Sequence, residues 1–383
     1  MCTKFTALEV GKGDAFLLQN QGWNCLFDTG QYSNIISLLK DKGIHRLHLA
    51  ICSHNDVDHA KGFIELLKDG SIAIDEIWLP GTWASVLKYV QDIGFGPEEV
   101  EFLKRVEYEY NKKITDDPIF RINEDGTFAE NNNKIYLLDP ESEETIKNFE
   151  DRLHRSGFFE MIGSKFYEYY EDLRWWFPRL YLDFYSEHEK EAKYPSLVLA
   201  IDRIIKIAGI AYNKRCKIRW FNPVNYCTRY RVNYGFVALN SHEMFCLQKP
   251  KDAYCFAQLC LLTVVNEYSL VFEYWNDRLP IVRFSADSDC ICQGALYNNH
   301  IIVTAPHHGS DDNRKVYNAI NNNNVIWVRS DCKTKKRPCA LFRSLKNKYC
   351  LACILFAFRK EIFFEYDKVS KQWNHKSGNS CKC

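Results

Sequence analysis

The sequence predicts a protein of the α/β class, and three observations lead to this prediction. Residues 47–51 form an apolar run typical of a buried strand. Residues 63–67 show the spacing of an amphipathic helix. Between them lies a polar cluster with two histidines and two aspartates. Because α/β folds place their chemistry where a strand ends and a helix begins, we expect this cluster at the carboxyl end of a strand.

The polar cluster has the composition of a metal site. Its four candidate ligands are His54, Asp56, Asp58 and His59. Imidazole and carboxylate together suit divalent ions of the zinc, manganese or iron type. The alternative is a polar turn with a helix-capping aspartate. The compact pattern, closed by Gly62, favours the metal site.

The flanking segments extend the alternation of strands and helices. Short apolar or alternating runs separated by glycine turns predict strands, and apolar residues at helical spacing predict a helix. The predicted strands are residues 5–10, 15–19, 24–27 and 72–79, and the predicted helix is residues 35–39.

Composition limits the possible classes of protein. The chain has 383 residues, 46% of them hydrophobic and 15% aromatic, which indicates a folded globular protein large enough for one or two domains. The net charge of +1 shows no global attraction to nucleic acid, so any such surface must be local. No run of 18 apolar residues and no apolar leader is present, so we expect a cytoplasmic protein without membrane contact.

Sixteen cysteines raise the question of disulfides. Several lie inside apolar runs, so we interpret most of them as reduced, buried thiols. The pairs Cys350/Cys353 and Cys381/Cys383 are candidates for a structural zinc site, although no complete set of four ligands is evident.

Six segments together resemble one family. Residues 10–15 (Val-Gly-Lys-Gly-Asp-Ala), 27–30 (Phe-Asp-Thr-Gly) and 53–59 are similar to the first half of metallo-β-lactamase-fold hydrolases, and the nearest branch is that of the competence protein ComEC. The second half offers matching segments, of which the His-His-Gly-Ser loop is the most specific. These segments are residues 266–272, 282–287 and 303–310. The resemblance covers about residues 3–80 and 215–365.

The resemblance implies an αββα sandwich with metal ions at the edge between its two sheets. The implied ligands are His54, Asp56, Asp58, His59, Asp287 and His308. Two divalent ions, zinc or manganese, are expected, with Asp287 bridging them. A third histidine common in the fold is absent near Tyr268, so the second ion is expected to bind more weakly. Asp14 and Asp28 are expected to support the ligands from behind.

Catalytic and substrate-binding roles follow from the same resemblance. Asp58 or Asp287 would orient the nucleophile, with Asp58 as the assigned residue. Whichever of His307 and His308 does not bind metal would donate a proton, and we assign this role to His307. Ala286 replaces a family glycine, and Arg337 replaces a late histidine. The candidate substrate contacts are Ser310, Lys335, Lys336 and Arg337, because a basic segment beside a metal site suits a phosphate backbone.

The family pattern is absent from the middle of the chain. We therefore predict three segments: residues 1–92 and 215–383 as the two halves of the fold, and residues 93–214 as a mainly α-helical insertion. Aromatic residues crowd the segment 158–185, with acidic residues among them. They predict an aromatic-packed subdomain, with a protein-partner surface as the sharper alternative and base stacking as the third.

Together these features favour a metal-dependent phosphodiesterase. The leading substrate is DNA, cut through a metal-activated hydroxide, and a partner protein on the insertion would restrain or recruit the enzyme, as in a multi-component defence system. Two alternatives remain open at this point: a hydrolase of small phosphoesters or nucleotides, and a regulatory scaffold with a residual metal site.

Overall fold

The computed structural model describes the greater part of the two predicted halves of the chain. The described residues are 2–93, 121–122, 128–129, 196–224, 226–244, 263, 266–276, 279–292, 300–320, 324–332, 337–351 and 361–376. The chain divides into two compact units. Unit 1 comprises Met1–Pro80, Lys214–Glu243 and Asn266–Cys383, and unit 2 comprises Gly81–Asn213 and Met244–Val265.

A mixed sheet of nine strands forms the first layer of strands in unit 1, counted over the described residues. Four central neighbours, β3, β5, β7 and β10, run parallel, and antiparallel strands extend the sheet on both sides. In spatial order the strands are β13 (Ser241–Glu243), β10 (Lys217–Pro223), β7 (Glu76–Pro80), β5 (Leu49–Ile51), β3 (Trp23–Phe27), β2 (Phe16–Asn20), β1 (Thr3–Leu8), β19 (Glu361–Asp367) and β20 (Gln372–His375).

A second mixed sheet contains seven strands within the part of unit 1 that the structure describes. It also has four parallel neighbours, β15 to β18. In spatial order the strands are β11 (Tyr230–Arg231), β12 (Phe236–Ala238), β14 (Phe272–Asn276), β15 (Leu279–Phe284), β16 (Ile301–Thr304), β17 (Val325–Arg329) and β18 (Lys348–Cys350). A small parallel pair joins β4 (Arg46–Leu47) to β6 (Ala73–Ile74).

The main hydrophobic core lies between the two sheets. Phe27 of the first sheet stacks on Phe284 of the second, with ring centroids 4.6 Å apart. Phe272 packs against both Phe27 and Trp78. Because strand side chains alternate between faces, each sheet directs every second residue into this shared core. The face-to-face arrangement thus follows from apolar residues on both inner faces.

Helices cover the outer faces. The parallel pairs β3–β5 and β5–β7 are connected through α1 (Ile35–Asp41) and α2 (Val57–Asp69), as parallel neighbours require. On the second sheet, α5 (Arg314–Ile320) and α6 (Ala340–Ser344) pack against the face opposite the core. The layers are therefore helix, sheet, sheet and helix. The predicted α/β class is confirmed, and this layer order is the αββα order that the resemblance implies.

Unit 2 is described only in part. Its helices α3 (Gly81–Ile93) and α4 (Ser196–Asn213) contact each other, and a two-stranded sheet pairs β8 (Arg121–Ile122) with β9 (Phe128–Ala129). The helical insertion predicted for residues 93–214, with its aromatic segment 158–185, falls mostly outside the described residues. The segment boundaries at 92 and 214 stay predictions.

Three local features differ from the sequence expectations. The helix after the polar cluster begins at Val57, so Asp58 and His59 lie in its first turn. The strand expected over residues 72–79 is divided into β6 and β7. A disulfide joins Cys227 to Cys292, whereas Cys25, Cys52, Cys216, Cys339 and Cys350 are buried reduced thiols. No helix in the described ranges has the length and hydrophobicity needed to cross a bilayer.

Candidate metal centre

The carboxyl ends of the parallel strands in both sheets meet at one site. In the first sheet, β3 leads to Asp28 and β5 leads to His54. In the second sheet, β15 leads to Asp287 and β16 leads to His307 and His308. Strand order thus brings together residues from distant parts of the chain at the edge where α/β proteins place their ligands.

The first cluster is formed by His59, His308, Asp14 and Asp287, which could hold one metal ion. The Nε2 atoms of His59 and His308 lie 3.0 Å apart, and His59 Nε2 lies 3.0 Å from Asp287 Oδ1. Asp58 Oδ2 lies 3.4 Å from His308 Nε2. Two imidazole nitrogens and two carboxylates therefore converge on one point, which is the donor number of a tetrahedral zinc site.

The second cluster is formed by His54, Asp56 and Asp287. His54 Nε2 lies 3.8 Å from Asp56 Oδ2 and 3.8 Å from Asp287 Oδ2. His307 Nε2 lies 3.6 Å from the same Asp287 oxygen. Asp287 thus directs Oδ1 to the first cluster and Oδ2 to the second, so one carboxylate serves both.

Two carboxylates, Asp28 and the cluster member Asp14, lie against the Nδ1 atoms of the two histidines of the first cluster. Asp28 Oδ2 is 2.8 Å from Nδ1 of His59, and Asp14 Oδ1 is 3.1 Å from Nδ1 of His308. A carboxylate at Nδ1 accepts a hydrogen bond from the N–H of that nitrogen, which fixes the tautomer and leaves Nε2 unprotonated as the ligand atom. Both Nε2 atoms consequently face the point of convergence.

Serine hydroxyls fix these supporting carboxylates. Ser53 Oγ donates to Asp28 Oδ2 over 2.7 Å and lies 2.9 Å from His54 Nδ1. Ser330 Oγ donates to Asp14 Oδ1 over 2.8 Å. Each carboxylate is thereby held in the orientation that its histidine needs.

The electrostatics of the site couple carboxylates to imidazoles. Burial opposes the charge on Asp287, yet His59 and His308 outweigh it and hold the pKa of Asp287 well below its ordinary value. Burial likewise disfavours a charged His308, but Asp14 and Asp287 raise its pKa to about 10. His59 shows the same balance, with its pKa raised through Asp287 and Asp28. A metal ion would take the place of these protons.

The residues fit a divalent metal ion. The cluster side chains are at most 3% exposed, and several of their polar atoms have no hydrogen-bond partner among the described residues. These atoms include Asp14 Oδ2, His54 Nε2, Asp56 Oδ2, Asp58 Oδ2 and Asp287 Oδ1, and beside the clusters both ring nitrogens of His307 are in the same state. Buried polar atoms without partners are costly, and cations coordinated by them would satisfy several at once. Mixed imidazole and carboxylate donors suit zinc or manganese.

Two glycines allow the close packing that builds the site. A Cβ atom at Gly13 would lie 1.7 Å from the carbonyl oxygen of Asp58. The turn between β1 and β2 can therefore contact the backbone of α2 only because residue 13 has no side chain. A Cβ atom at Gly62 would lie 2.7 Å from the carbonyl oxygen of Thr29. The glycine that closes the polar cluster in the sequence is therefore the point where α2 meets the turn after β3.

The structure brings most of the predicted site residues together. The six predicted ligands, His307 and the two supporting aspartates all lie in or against the two clusters. Arg337 is close enough for its charge to lower the pKa of His307, adding to the effect of burial. Ser310 donates to Asp312 Oδ2 over 2.7 Å, so its hydroxyl is engaged within its own loop. Lys335 and Lys336 lie outside the described residues.

A second basic segment, residues 214–219, has a structural use. Lys217 and Arg219 pair with Glu76, and Arg219 also pairs with Glu243. Acidic partners on neighbouring strands neutralise these charges. Sequence spacing could not show this, because the partners lie more than 20 positions away from the basic segment.

Four supporting residues were not predicted from the sequence. Ser53 and Ser330 hold the supporting carboxylates, Arg329 donates to the carbonyl oxygen of His308, and Asn313 Nδ2 donates to the carbonyl oxygen of Asp287 over 3.2 Å. A charged and polar triplet, Arg-Ser-Asp, directly after the apolar run of β17 was the available signal. A buried strand that ends in such residues is typical of a site rather than of a core.

Comparison with known proteins adds little to these observations. No protein-family profile and no curated protein matches the chain. Among the solved structures that match is the crystal structure of a new diphosphatase from the PhnP family. It has 10% sequence identity and a TM-score of 0.35, and the alignment covers 95% of this chain and 99% of that chain.

Proposed function

We propose that this protein is a divalent-metal-dependent phosphodiesterase that cleaves nucleic acid, with DNA as its leading substrate. The observation that carries the proposal is the shared carboxylate of Asp287, with one oxygen facing each of two buried ligand clusters. Paired sites that share a carboxylate are suited to phosphoester hydrolysis, because two ions can stabilise the attacking and the leaving oxygen together.

Each residue of the centre has a distinct task in this proposal. Ions bound there would lower the pKa of a coordinated water and polarise a phosphate oxygen. Asp58 lies beside His308 in the first cluster and is kept ionised, because its interactions with His308 and His59 outweigh burial and lower its pKa. It can thus accept a hydrogen bond from a nucleophilic water and orient it.

His307 is the candidate proton-transfer residue. Burial lowers its pKa, and the charges of Arg337 and His308 lower it further. The imidazole is therefore neutral near pH 7, a state that accepts a proton or binds a cation. Donation to a leaving oxygen would follow only after His307 has taken up a proton, so we assign it the role of base in the resting site.

Arg337 supports a phosphate-containing substrate. It is partly buried and immediately precedes Pro338, and a Cβ atom at Gly309 would contact the Pro338 side chain. A guanidinium group recognises phosphate oxygens by two parallel hydrogen bonds. The charge of Arg337 lowers the pKa of His307, which supports a position of Arg337 beside the two clusters.

The test is a hydrolysis assay on the purified full chain with Mn²⁺, Zn²⁺ and Mg²⁺ in turn. The substrates are single- and double-stranded DNA, single-stranded RNA, and a small diester such as bis(p-nitrophenyl) phosphate. We expect cleavage of DNA that disappears with a chelator. Cleavage of the small diester without any cleavage of DNA or RNA would instead favour a small-molecule hydrolase. Absence of all hydrolysis would contradict the proposal.

Asp287→Asn provides the matched variant. Loss of one negative charge from both clusters weakens each site and increases the repulsion between the two ions. We expect bound metal to fall and hydrolysis to be lost, as measured by elemental analysis and by the same assay. Asp289→Asn is the control, since Asp289 belongs to neither cluster and should keep both properties. The reverse pattern would show that the second-half ligand is wrongly assigned.

A further inference from the structure

Arg329 is a buried cation at the end of β17. Its side chain has no exposed surface. Burying a charge is costly unless it is paired and every donor is satisfied. The hydrogen-bond partners of this buried arginine therefore indicate its role beside the ligand cluster.

All five N–H donors of Arg329 have acceptors. Nε donates to the carbonyl oxygen of His308. One terminal nitrogen donates to the carbonyl oxygen of Asp331 over 2.7 Å and to Sγ of Cys350 over 3.2 Å. The other donates to Asp331 Oδ2 over 2.7 Å and to the carbonyl oxygen of Cys332. The rigid guanidinium thus fixes the ligand loop of His308 relative to the end of β17.

The residues after Arg329 extend this link to the first turn of the chain. Asp331 Oδ1 accepts a hydrogen bond from the backbone N–H of Gly13 over 2.9 Å. Ser330 Oγ donates to Asp14 Oδ1, the oxygen that lies 3.1 Å from His308 Nδ1. His308 is consequently held at two points: its carbonyl by Arg329, and its imidazole by Asp14 and Ser330.

The backbone of the ligand loop needs such support. His307 and His308 have left-handed φ angles of 46° and 51°, and Gly309 follows at 85°. A left-handed conformation costs a non-glycine residue about 1–2 kcal/mol. Two such residues in succession persist only where surrounding contacts fix them. Arg329 supplies one of these contacts, and the hydrogen bond from Tyr317 to the carbonyl oxygen of Pro306 supplies another.

We propose that Arg329 is a positioning residue of the metal centre. Through the carbonyl oxygen of His308 it holds the imidazole so that Nε2 faces His59, Asp58 and Asp287, and it thereby sets the metal affinity of the first cluster. This inference rests on the metal centre of the proposed function, but it does not depend on the substrate.

The experiment measures metal binding rather than turnover. The full chain, freed of metal, is titrated with Co²⁺, whose visible absorption reports the geometry of its ligands. Arg329→Lys keeps the charge but loses the fork that reaches several carbonyl oxygens. We expect Co²⁺ binding to the first cluster to weaken about 10–100-fold, the usual effect of removing a group that orients a ligand, and the absorption spectrum to change in shape.

Arg283→Lys is the control. Arg283 is 1% exposed and bonds to Glu273 and to the carbonyl oxygen of Cys292, neither of which belongs to a ligand cluster. We expect Arg283→Lys to lose about as much stability as Arg329→Lys, but to keep the Co²⁺ affinity and the absorption spectrum of the wild type. An unchanged Arg329→Lys spectrum and affinity would overturn the proposal.

Asp331→Asn is the second variant, used if Arg329→Lys does not fold. It keeps an oxygen for the N–H of Gly13 but weakens the charged pair that orients the Arg329 guanidinium, so Co²⁺ affinity and spectrum should shift in the same direction. Wild-type affinity and spectrum in Asp331→Asn would then refute the positioning role. A wild-type protein that binds Co²⁺ but hydrolyses none of the substrates would disprove the proposed function and leave this inference intact.

Discussion

At the scale of single residues, Ala286 adopts a backbone conformation that alanine disfavours. Its φ angle of 46° lies in the left-handed region, which favours glycine. The backbone N–H of His307 donates to the Ala286 carbonyl oxygen over 2.9 Å, so this conformation links the Asp287 turn to the histidine loop. The residue that follows is the carboxylate shared by both clusters.

Ala286→Gly should therefore cost less stability than an ordinary substitution of a buried alanine. Relief of the left-handed penalty gains about 1–2 kcal/mol, whereas the greater freedom of glycine in the unfolded chain costs about 0.4–1 kcal/mol and the loss of a buried methyl group costs about 0.8 kcal/mol. We expect the free energy of unfolding, measured by urea denaturation, to change by less than about 1 kcal/mol, with metal content unchanged.

The control for this substitution is Ala305→Gly. Ala305 lies in the neighbouring ligand loop with an ordinary φ of −67°. There glycine brings its entropic cost and the loss of a buried methyl group, so this variant should lose about 1.3–1.8 kcal/mol. Equal effects of the two substitutions would show that Ala286 is not strained.

The ligands of the first half could be predicted because they are close together in the sequence, whereas contacts between residues far apart in the sequence could not. The polar cluster at residues 54–59 indicates a metal site through four ligand side chains in six positions. By contrast, Ser330 and Asp14 are 316 positions apart, and neither residue type is unusual where it stands. The resemblance suggested a supporting role for Asp14, but the hydroxyl that fixes it required the folded chain.

At the scale of elements, the turn between β1 and β2 packs against α2, the helix that carries Asp58 and His59. Gly13 approaches the Asp58 carbonyl oxygen so closely that Gly13→Ala would force backbone against backbone. We expect a loss of more than about 3 kcal/mol in stability, comparable to the larger effects of single substitutions, together with loss of bound metal.

Gly11→Ala is the matched control in the same turn. Gly11 also has a positive φ, but a Cβ atom there meets only the Tyr32 ring, which is exposed and can move. Its expected cost is about 1–2 kcal/mol from the backbone alone, with metal binding retained. Thermal denaturation and elemental analysis of both variants would check the contrast, and loss of metal in Gly11→Ala would contradict it.

Ion pairs at the other end of the first sheet join β7 to β10. The Glu76 carboxylate accepts hydrogen bonds from Trp78, Lys217, Arg219 and Tyr234. Burial raises the pKa of Glu76, but the hydrogen bonds of Trp78 and Lys217 outweigh it and hold the pKa below its ordinary 4.5. The network thus favours the ionised form of Glu76 in the folded protein.

The sign of the pH dependence follows from this lowered pKa. The stabilisation is present above pH 4.5 and is lost as the pH falls through the lower pKa of the folded state. Glu76→Gln should therefore cost about 1–3 kcal/mol at pH 7, and the difference from wild type should shrink below about pH 4.5.

Urea denaturation across this pH range measures the effect. Glu365→Gln, which removes a surface pair with Lys4 and Lys376, should change stability by less than about 1 kcal/mol at every pH. A difference between Glu76→Gln and wild type that stays constant down to pH 3 would rule out the linkage.

At the scale of the whole molecule, the ligands of both clusters come from two sheets that share one core. Bound metal should consequently stabilise the complete sandwich. Metal at about 100 times its dissociation constant adds roughly 2.7 kcal/mol to the free energy of unfolding. We expect the melting temperature to rise with added Mn²⁺ or Zn²⁺ and to fall with a chelator, as measured by calorimetry.

Asp287→Asn should show a much smaller metal-dependent shift, because both clusters lose a ligand. If wild type and variant shifted equally, the ions would be bound elsewhere.

Sequence patterns predicted the α/β class, because alternation of strands and helices is a local property. They did not predict where β1 would pair. That strand lies between β2 and β19, a strand more than 350 positions further along the chain. Nor did they reveal the disulfide of Cys227 and Cys292, which depends on two loops approaching in space. Such pairings depend on the packing of complete sheets rather than on any short segment.

The span between Asp14 and Ser330 has a consequence for the newly made protein. Ribosomes add about 5–20 residues per second, so the hydroxyl that orients Asp14 is synthesised roughly 15–60 s after Asp14 itself. For most of that interval the emerging polypeptide lacks His308, and throughout it lacks the strand end that supports His308. Whatever reaction the finished centre carries out, the nascent chain cannot begin it, and the topology itself delays activity until the last strands of the second sheet have been synthesised.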